Sequence, residues 1–129
     1  MNKILRVLYV EDEPDIREVT EFALEDEGFE LIPCPSGQAA LERATELDRA
    51  PDLLLLDVMM PGMDGPSTLQ RLRELPQLSA TPAIFMTAKV QPAEVAQYQA
   101  LGALGVIAKP FDAMTLADEI RALLEKDDE

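Results

Sequence analysis

A chain of 129 residues, 47% of them apolar, can bury one sizeable core but is too short for two ordinary domains. One cysteine, Cys34, and no histidine rule out an internal disulfide and remove the commonest metal ligand and general base, so any bound metal would be held by oxygen. A formal charge of −14 opposes contact with nucleic-acid or anionic-membrane phosphates, no stretch reaches the roughly 18 apolar residues of a membrane span, and Met1 to Arg6 carries no apolar leader, so a cytoplasmic, membrane-free domain over 1–129 is expected.

Ile4 to Val10 is an apolar run that reads as a first strand and stops at Glu11-Asp12-Glu13. Ile16, Val19 and Ala23 mark a first helix, and Phe29 to Cys34 a second strand. Ser36 is suited to cap a second helix carrying Ala40, Leu41, Ala44 and Leu47. Leu53 to Leu56 shows no alternation with polar residues, as in a strand covered on both faces; the run is too short to read first as a helix. It ends at Asp57. Gly65 and Pro66 open a third helix with Leu69 and Leu72 on its apolar side. Ala83 to Met86 is a fourth strand, ending at Thr87. The helix from near Pro92 has only a thin stripe, Val95, Tyr98 and Leu101, which makes it the candidate moving part. Gly105 to Ala108 is a fifth strand, ending at Lys109-Pro110. Leu116, Ile120, Leu123 and Leu124 mark a last helix, and Glu125 to Glu129 reads as a solvated tail.

Strands alternating with helices through short connections imply parallel strands with right-handed crossovers. The expected fold class is α/β, a doubly wound (βα)5 sheet in the flavodoxin-like order 2-1-3-4-5. A ligand site then lies beyond the carboxyl ends of the strands, where strand order reverses. Glu11, Asp12, Asp57, Thr87 and Lys109 all fall at that edge. Neighbouring strands are about 4.8 Å apart, so Asp12 and Thr87 need only short side chains to approach Asp57. Lys109, two strands away at roughly 10 Å, has the long stem to cover that distance. Two carboxylates about 4 Å apart repel by about 4 kcal/mol at an effective dielectric near 20, so positive charge must share the site. Lys109 offers one charge; a small oxygen-loving divalent cation, magnesium, offers two. Zinc suits this donor set poorly. Without histidine or a second cysteine, the nucleophile is a carboxylate or hydroxyl. A carboxylate attacking phosphorus gives an aspartyl-phosphate, with Asp57 the central choice and Thr87 placed to donate a hydrogen bond to a phosphoryl oxygen.

At these residues the sequence resembles the receiver domain of bacterial two-component response regulators, CheY-like, over the whole chain. Val10-Glu11-Asp12-Glu13 is similar to the family's acidic pair, Asp57-Val58-Met59-Met60-Pro61-Gly62-Met63-Asp64-Gly65 to its phosphoacceptor loop, and Thr87-Ala88 and Lys109-Pro110-Phe111 to its remaining motifs. The resemblance implies transfer from a phosphohistidine, on a sensor histidine kinase or His-phosphotransfer protein, to Asp57. It implies magnesium held by Asp12, Asp57 and the Met59 backbone carbonyl, with Glu11 acting mainly through bound water. It also implies that Thr87 follows the phosphoryl group inward and alters the surface of helix four, strand five and helix five. By the same resemblance the Lys109-Pro110 bond is expected to be cis, Thr87, Ala88 and Lys109 form the phosphoryl-binding and switch set, and Met59 and Lys89 flank the site and could tune the phosphoryl lifetime. The departure is Val106, where the family commonly carries an aromatic that swings with the switch; valine has one stiff torsion.

The expectation is a stand-alone response regulator, catalysing only its own phosphorylation and dephosphorylation, without an output domain. Its signal would pass to an unknown protein target or through self-association as a monomer or weak homodimer, without nucleic acid. Three alternatives compete. A haloacid dehalogenase-type phosphohydrolase would carry a second Asp two residues after the nucleophile, where Met59 stands. A nucleotide-binding sheet would place glycines after strand one, where Glu11, Asp12, Glu13 and Asp15 stand. A receiver-like interaction module that is never phosphorylated would not need the full set of Glu11, Asp12, Asp57, Thr87 and Lys109.

Overall fold

The computed structural model describes residues 4–127. Five parallel strands, β1 (Leu5–Val10), β2 (Phe29–Cys34), β3 (Leu53–Asp57), β4 (Ala83–Thr87) and β5 (Gly105–Ala108), lie side by side in the order β2-β1-β3-β4-β5. Five helices, α1 (Pro14–Glu25), α2 (Gly37–Glu46), α3 (Gly65–Arg73), α4 (Pro92–Ala100) and α5 (Leu116–Asp127), form the connections and cover both faces. Alternate residues of each strand face opposite layers. Leu8, Val10, Leu54, Leu56 and Phe85 pack with Ala40 and Ala44 of α2 and Leu69 and Leu72 of α3. Val7, Tyr9, Leu53, Leu55, Ile84, Met86 and Ile107 pack with Leu24 of α1 and Leu116 and Ile120 of α5. This double burial is why Leu53 to Leu56 carries no polar alternation.

Local chemistry sets the helix starts. Ser36 caps α2, its hydroxyl accepting the Ala39 amide at 3.0 Å, and Asp64 caps α3, its carboxylate accepting the Ser67 amide at 2.8 Å. Pro66 sits in the first turn of α3, where its missing N–H costs nothing. Two expectations need adjustment. Of the expected α1 stripe, Ala23 packs against the core and Ile16 is half-buried, but Val19 is 48% exposed and the fully buried residues are Thr20 and Leu24, because the helix meets the sheet slightly further round than the apolar stripe suggests. Glu125 to Asp127, expected in a solvated tail, continue α5, and Asp128 and Glu129 lie outside the described residues. Helix α4 has no fully buried residue. Its half-buried Tyr98 rests on Phe85, ring centroids 5.3 Å apart, and Leu101 is 53% exposed.

Candidate functional site

Register builds the site. Val10 pairs with Leu56, so the next residues along, Glu11 and Asp57, stand opposite one another where β1 and β3 end. The sequence places Asp12 beside Asp57 by strand spacing alone; the pairing puts Glu11 level with it and Asp12 one step beyond. By the two-residue alternation, Tyr9 and Glu11, Leu55 and Asp57, and Ile107 and Lys109 share the α1/α5 face. Thr87 follows Phe85 onto the other face. The sheet edge therefore presents Asp57 between an acidic and basic set on one side and a hydroxyl on the other.

The Lys109 ammonium donates to Glu11 Oε1 at 2.9 Å and to Asp57 Oδ1 at 3.1 Å. Carboxylate oxygens of Glu11, Asp12 and Asp57 lie within 4.8 Å of one another. Glu11 is 0% exposed, Asp57 3% and the half-buried Asp12 more open. Burial pushes the carboxyls of both Glu11 and Asp57 above the ordinary carboxylate range, and it outweighs the lowering effect of Lys109 on each. Asp12 adds to the rise at Asp57 through repulsion. Burial opposes the charge on Lys109, but its two carboxylate partners reverse the balance and raise it. Three acids and one ammonium leave the cluster short of positive charge.

Thr87 is buried, and its hydroxyl oxygen accepts the Lys89 amide at 3.1 Å, leaving its own proton to donate elsewhere. Beside it runs an open groove of about 560 Å³ bordered by Met59, Lys89 and Tyr98. Met59 is 69% exposed and Ala88 is also exposed. The Lys109–Pro110 peptide bond is cis. Val106 is half-buried against the cluster that holds Phe85 and Tyr98, away from the acidic cluster.

Further contributors lie outside that polar set, and of these only Gly65 falls within a motif legible in the sequence. Gly65 lies so near the Asp57 carbonyl that an added Cβ would collide with it and come within 2.9 Å of the Val58 Cα. Under Glu11 on β1, Tyr9 is fully buried and hydrogen-bonded to Thr20 at 2.8 Å. Since Thr20 gives its one proton to the Ile16 carbonyl, Tyr9 is the donor. Arg17 donates to the Glu11 carbonyl at 2.7 Å. Only the periodicity of α1, which brings residues 17 and 20 round toward the sheet, could have pointed to the last two.

The model of the response regulator receiver domain matches residues 7–121. The chain belongs to this family. Receiver domains are signalling domains rather than conventional enzymes, and solved relatives share the architecture. The chemotaxis response regulator CheY4 of Vibrio cholerae superposes with a TM-score of 0.85 at 30% identity, covering 94% of this chain and 99% of that one. Among curated proteins, the transcriptional regulatory protein CseB of Streptomyces coelicolor is 42% identical over 120 residues, 93% of this chain and 49% of the relative. CpxR of Escherichia coli K12, also a transcriptional regulatory protein, is 40% identical over 126 residues, 98% of this chain and 50% of the relative.

These relatives overturn one expectation. The receiver's acidity led to partners that exclude nucleic acid and an output limited to protein targets or self-association. Yet the curated relatives are transcriptional regulatory proteins, and the chain spans about half their length. The charge of one half does not describe what the other half contacts: at physiological ionic strength its field is screened within about 8 Å. No described helix is long and apolar enough to cross a membrane.

Proposed function

We propose that this receiver accepts a phosphoryl group on Asp57 from a phosphohistidine of a sensor histidine kinase or His-phosphotransfer protein, in the cytoplasm and with magnesium bound. The observation that carries the reading is the Lys109 ammonium bridging Asp57 and Glu11 at 3.1 and 2.9 Å beside the half-buried Asp12. The donor set fits the ion: three carboxylates within 4.8 Å, oxygen only, with a net negative balance after Lys109 is counted. Asp12, Asp57 and the Met59 carbonyl would hold it, with Glu11 acting through water, and it would supply positive charge to the phosphoryl oxygens.

The residues supply the rest. An Asp57 oxygen attacks phosphorus, the P–N bond to the donor imidazole breaks with its electron pair going to nitrogen, and a mixed anhydride remains. Lys109 already points at Asp57 and would neutralise a phosphoryl oxygen in place of the carboxylate it now holds. Thr87 has a free hydroxyl proton to give to another. Moving Thr87 inward pulls on Lys89, through the amide that its hydroxyl now accepts, and so on the loop into α4. The weak anchorage of α4, by a half-buried Tyr98, supports an output face of α4, β5 and α5. With Val106 in place of an aromatic, loop and helix displacement would carry the signal.

Mass spectrometry after incubation with magnesium and a small phosphodonor tests this. The gain of one phosphoryl mass, lost in Asp57→Ala, is the expected result. No gain across several donors would instead assign the chain to the class of interaction modules that work unphosphorylated.

A further inference from the structure

We infer that Arg17 is a positioning residue for Asp12, holding the β1–α1 loop so that the Asp12 carboxylate faces Asp57 before any cation arrives. The inference rests on the metal-binding reading above. Among the described residues, the Asp12 carboxylate receives no hydrogen bond, so its direction is set by the backbone that carries it. That backbone is fastened on one side almost entirely through Glu11. The Glu11 amide donates to the Cys34 carbonyl at 3.1 Å, which continues the β1–β2 pairing one residue past the strand. The Glu11 carboxylate accepts the Glu13 amide at 3.3 Å and the Lys109 ammonium at 2.9 Å. Its carbonyl, which lies in the peptide plane shared with Asp12, receives Arg17 Nη1 at 2.7 Å.

That last contact is the only one of the four that orients the Glu11–Asp12 peptide itself. The first turn of α1 carries Arg17 to this position, its own amide bonding the Glu13 carbonyl at 3.0 Å. The choice of partner is informative. Glu11, Asp12, Glu13 and Asp15 all lie within six residues of Arg17 along the chain, and an arginine's fork suits bidentate carboxylate binding, yet among the described residues Arg17 forms no ion pair and donates to a main-chain oxygen. A half-buried guanidinium hydrogen-bonded to a peptide oxygen fixes geometry more than it neutralises charge.

Positioning and simple electrostatics predict opposite signs. Deleting a cation next to an acidic cluster should tighten magnesium by Coulomb's law alone, whereas loosening the Asp12 peptide should weaken it. Groups that orient metal ligands from outside the first coordination sphere are worth 10- to 100-fold in affinity. Calorimetric titration of the whole chain with magnesium chloride decides between them. Arg17→Ala is expected to bind about ten-fold more weakly than wild type, while Arg17→Gln, which keeps a donor without the charge, stays within about three-fold. In an Asp12→Asn background the same Arg17→Ala change should cost less than about two-fold, since the residue it positions is already altered. Equal or tighter binding by Arg17→Ala, or an undiminished loss in the Asp12→Asn background, overturns the inference. If circular dichroism finds Arg17→Ala unfolded, Arg17→Met takes its place with the same expected order. A wild type that takes up no magnesium sinks the metal reading and this inference together; a wild type that binds beside an Arg17→Ala that binds as well sinks only the inference.

Discussion

Replacing Lys109 with methionine keeps the apolar stem and removes the charge that bridges two buried carboxylates. With charge centres about 4 Å apart and an effective dielectric near 20, each attraction is worth about 4 kcal/mol, and the Glu11–Asp57 repulsion that remains is of similar size. Against the lost attraction stands the desolvation that Lys109 itself no longer suffers, so the net loss falls near the lower end of the range for breaking a buried pair, about 3 kcal/mol. For a domain of this size that lowers Tm by about 10 °C. The pH dependence isolates the cause. In the fold the Glu11 and Asp57 carboxyls titrate above the ordinary range, so their stabilising form is the neutral one. Its benefit is complete below the ordinary carboxylate pKa and is lost as pH rises through the raised values. Without Lys109 those values climb further, and more of the loss is felt at neutral pH. Urea unfolding followed by circular dichroism should give a deficit of about 3 kcal/mol at pH 7.5 that shrinks below about 1 kcal/mol near pH 4. A deficit of the same size at both pH values would mean that Lys109 matters through packing of its stem, and no deficit would mean that the bridge is not formed in solution.

Asp57→Asn should raise stability at neutral pH by about 1 kcal/mol, because it removes a carboxylate whose charge burial opposes, and the gain should fade in acid; a thermal melt series across pH 4 to 8 measures it. Gly65→Ala should cost about 2 kcal/mol and slow phosphorylation of Asp57, since the added methyl meets the Asp57 and Val58 backbone, which cannot swing away as a flexible side chain would. Chemical denaturation and a phosphorylation time course report the two effects, and a variant normal in both would refute the close approach. Tyr98→Ala should loosen α4 selectively: hydrogen exchange of amides 95–101 should quicken at least ten-fold while β1 and β3 amides change far less, and uniform acceleration would show that α4 is not a separately mobile unit.

Much of the architecture was legible because strands buried on both faces and helices buried on one leave different apolar rhythms. The β2 and β5 boundaries agree to the residue, and β3 and β4 run one residue further, into Asp57 and Thr87 themselves. Those two polar residues complete the ladder with backbone groups while their side chains emerge at the edge, a distinction invisible to a reading based on apolar runs. Thr20 escapes a reading of apolar stripes because it is polar, yet its hydroxyl is satisfied by Ile16 and Tyr9 and can be buried.

At the site, residue types and their order along the chain were enough to bring Glu11, Asp12, Asp57, Thr87 and Lys109 to one sheet edge, since parallel winding sends every strand's carboxyl end the same way. Which groups touch was settled only by tertiary structure. Strand register, set by the packing of two helix layers, put Glu11 rather than Asp12 level with Asp57 and gave Lys109 two carboxylates to bridge. The same packing turned Arg17 toward a main-chain oxygen and brought Gly65 against the Asp57 backbone. Composition and periodicity are local properties and act along the chain; distances between strands, and the desolvation that raises a carboxyl's pKa, exist only once the layers have closed around it.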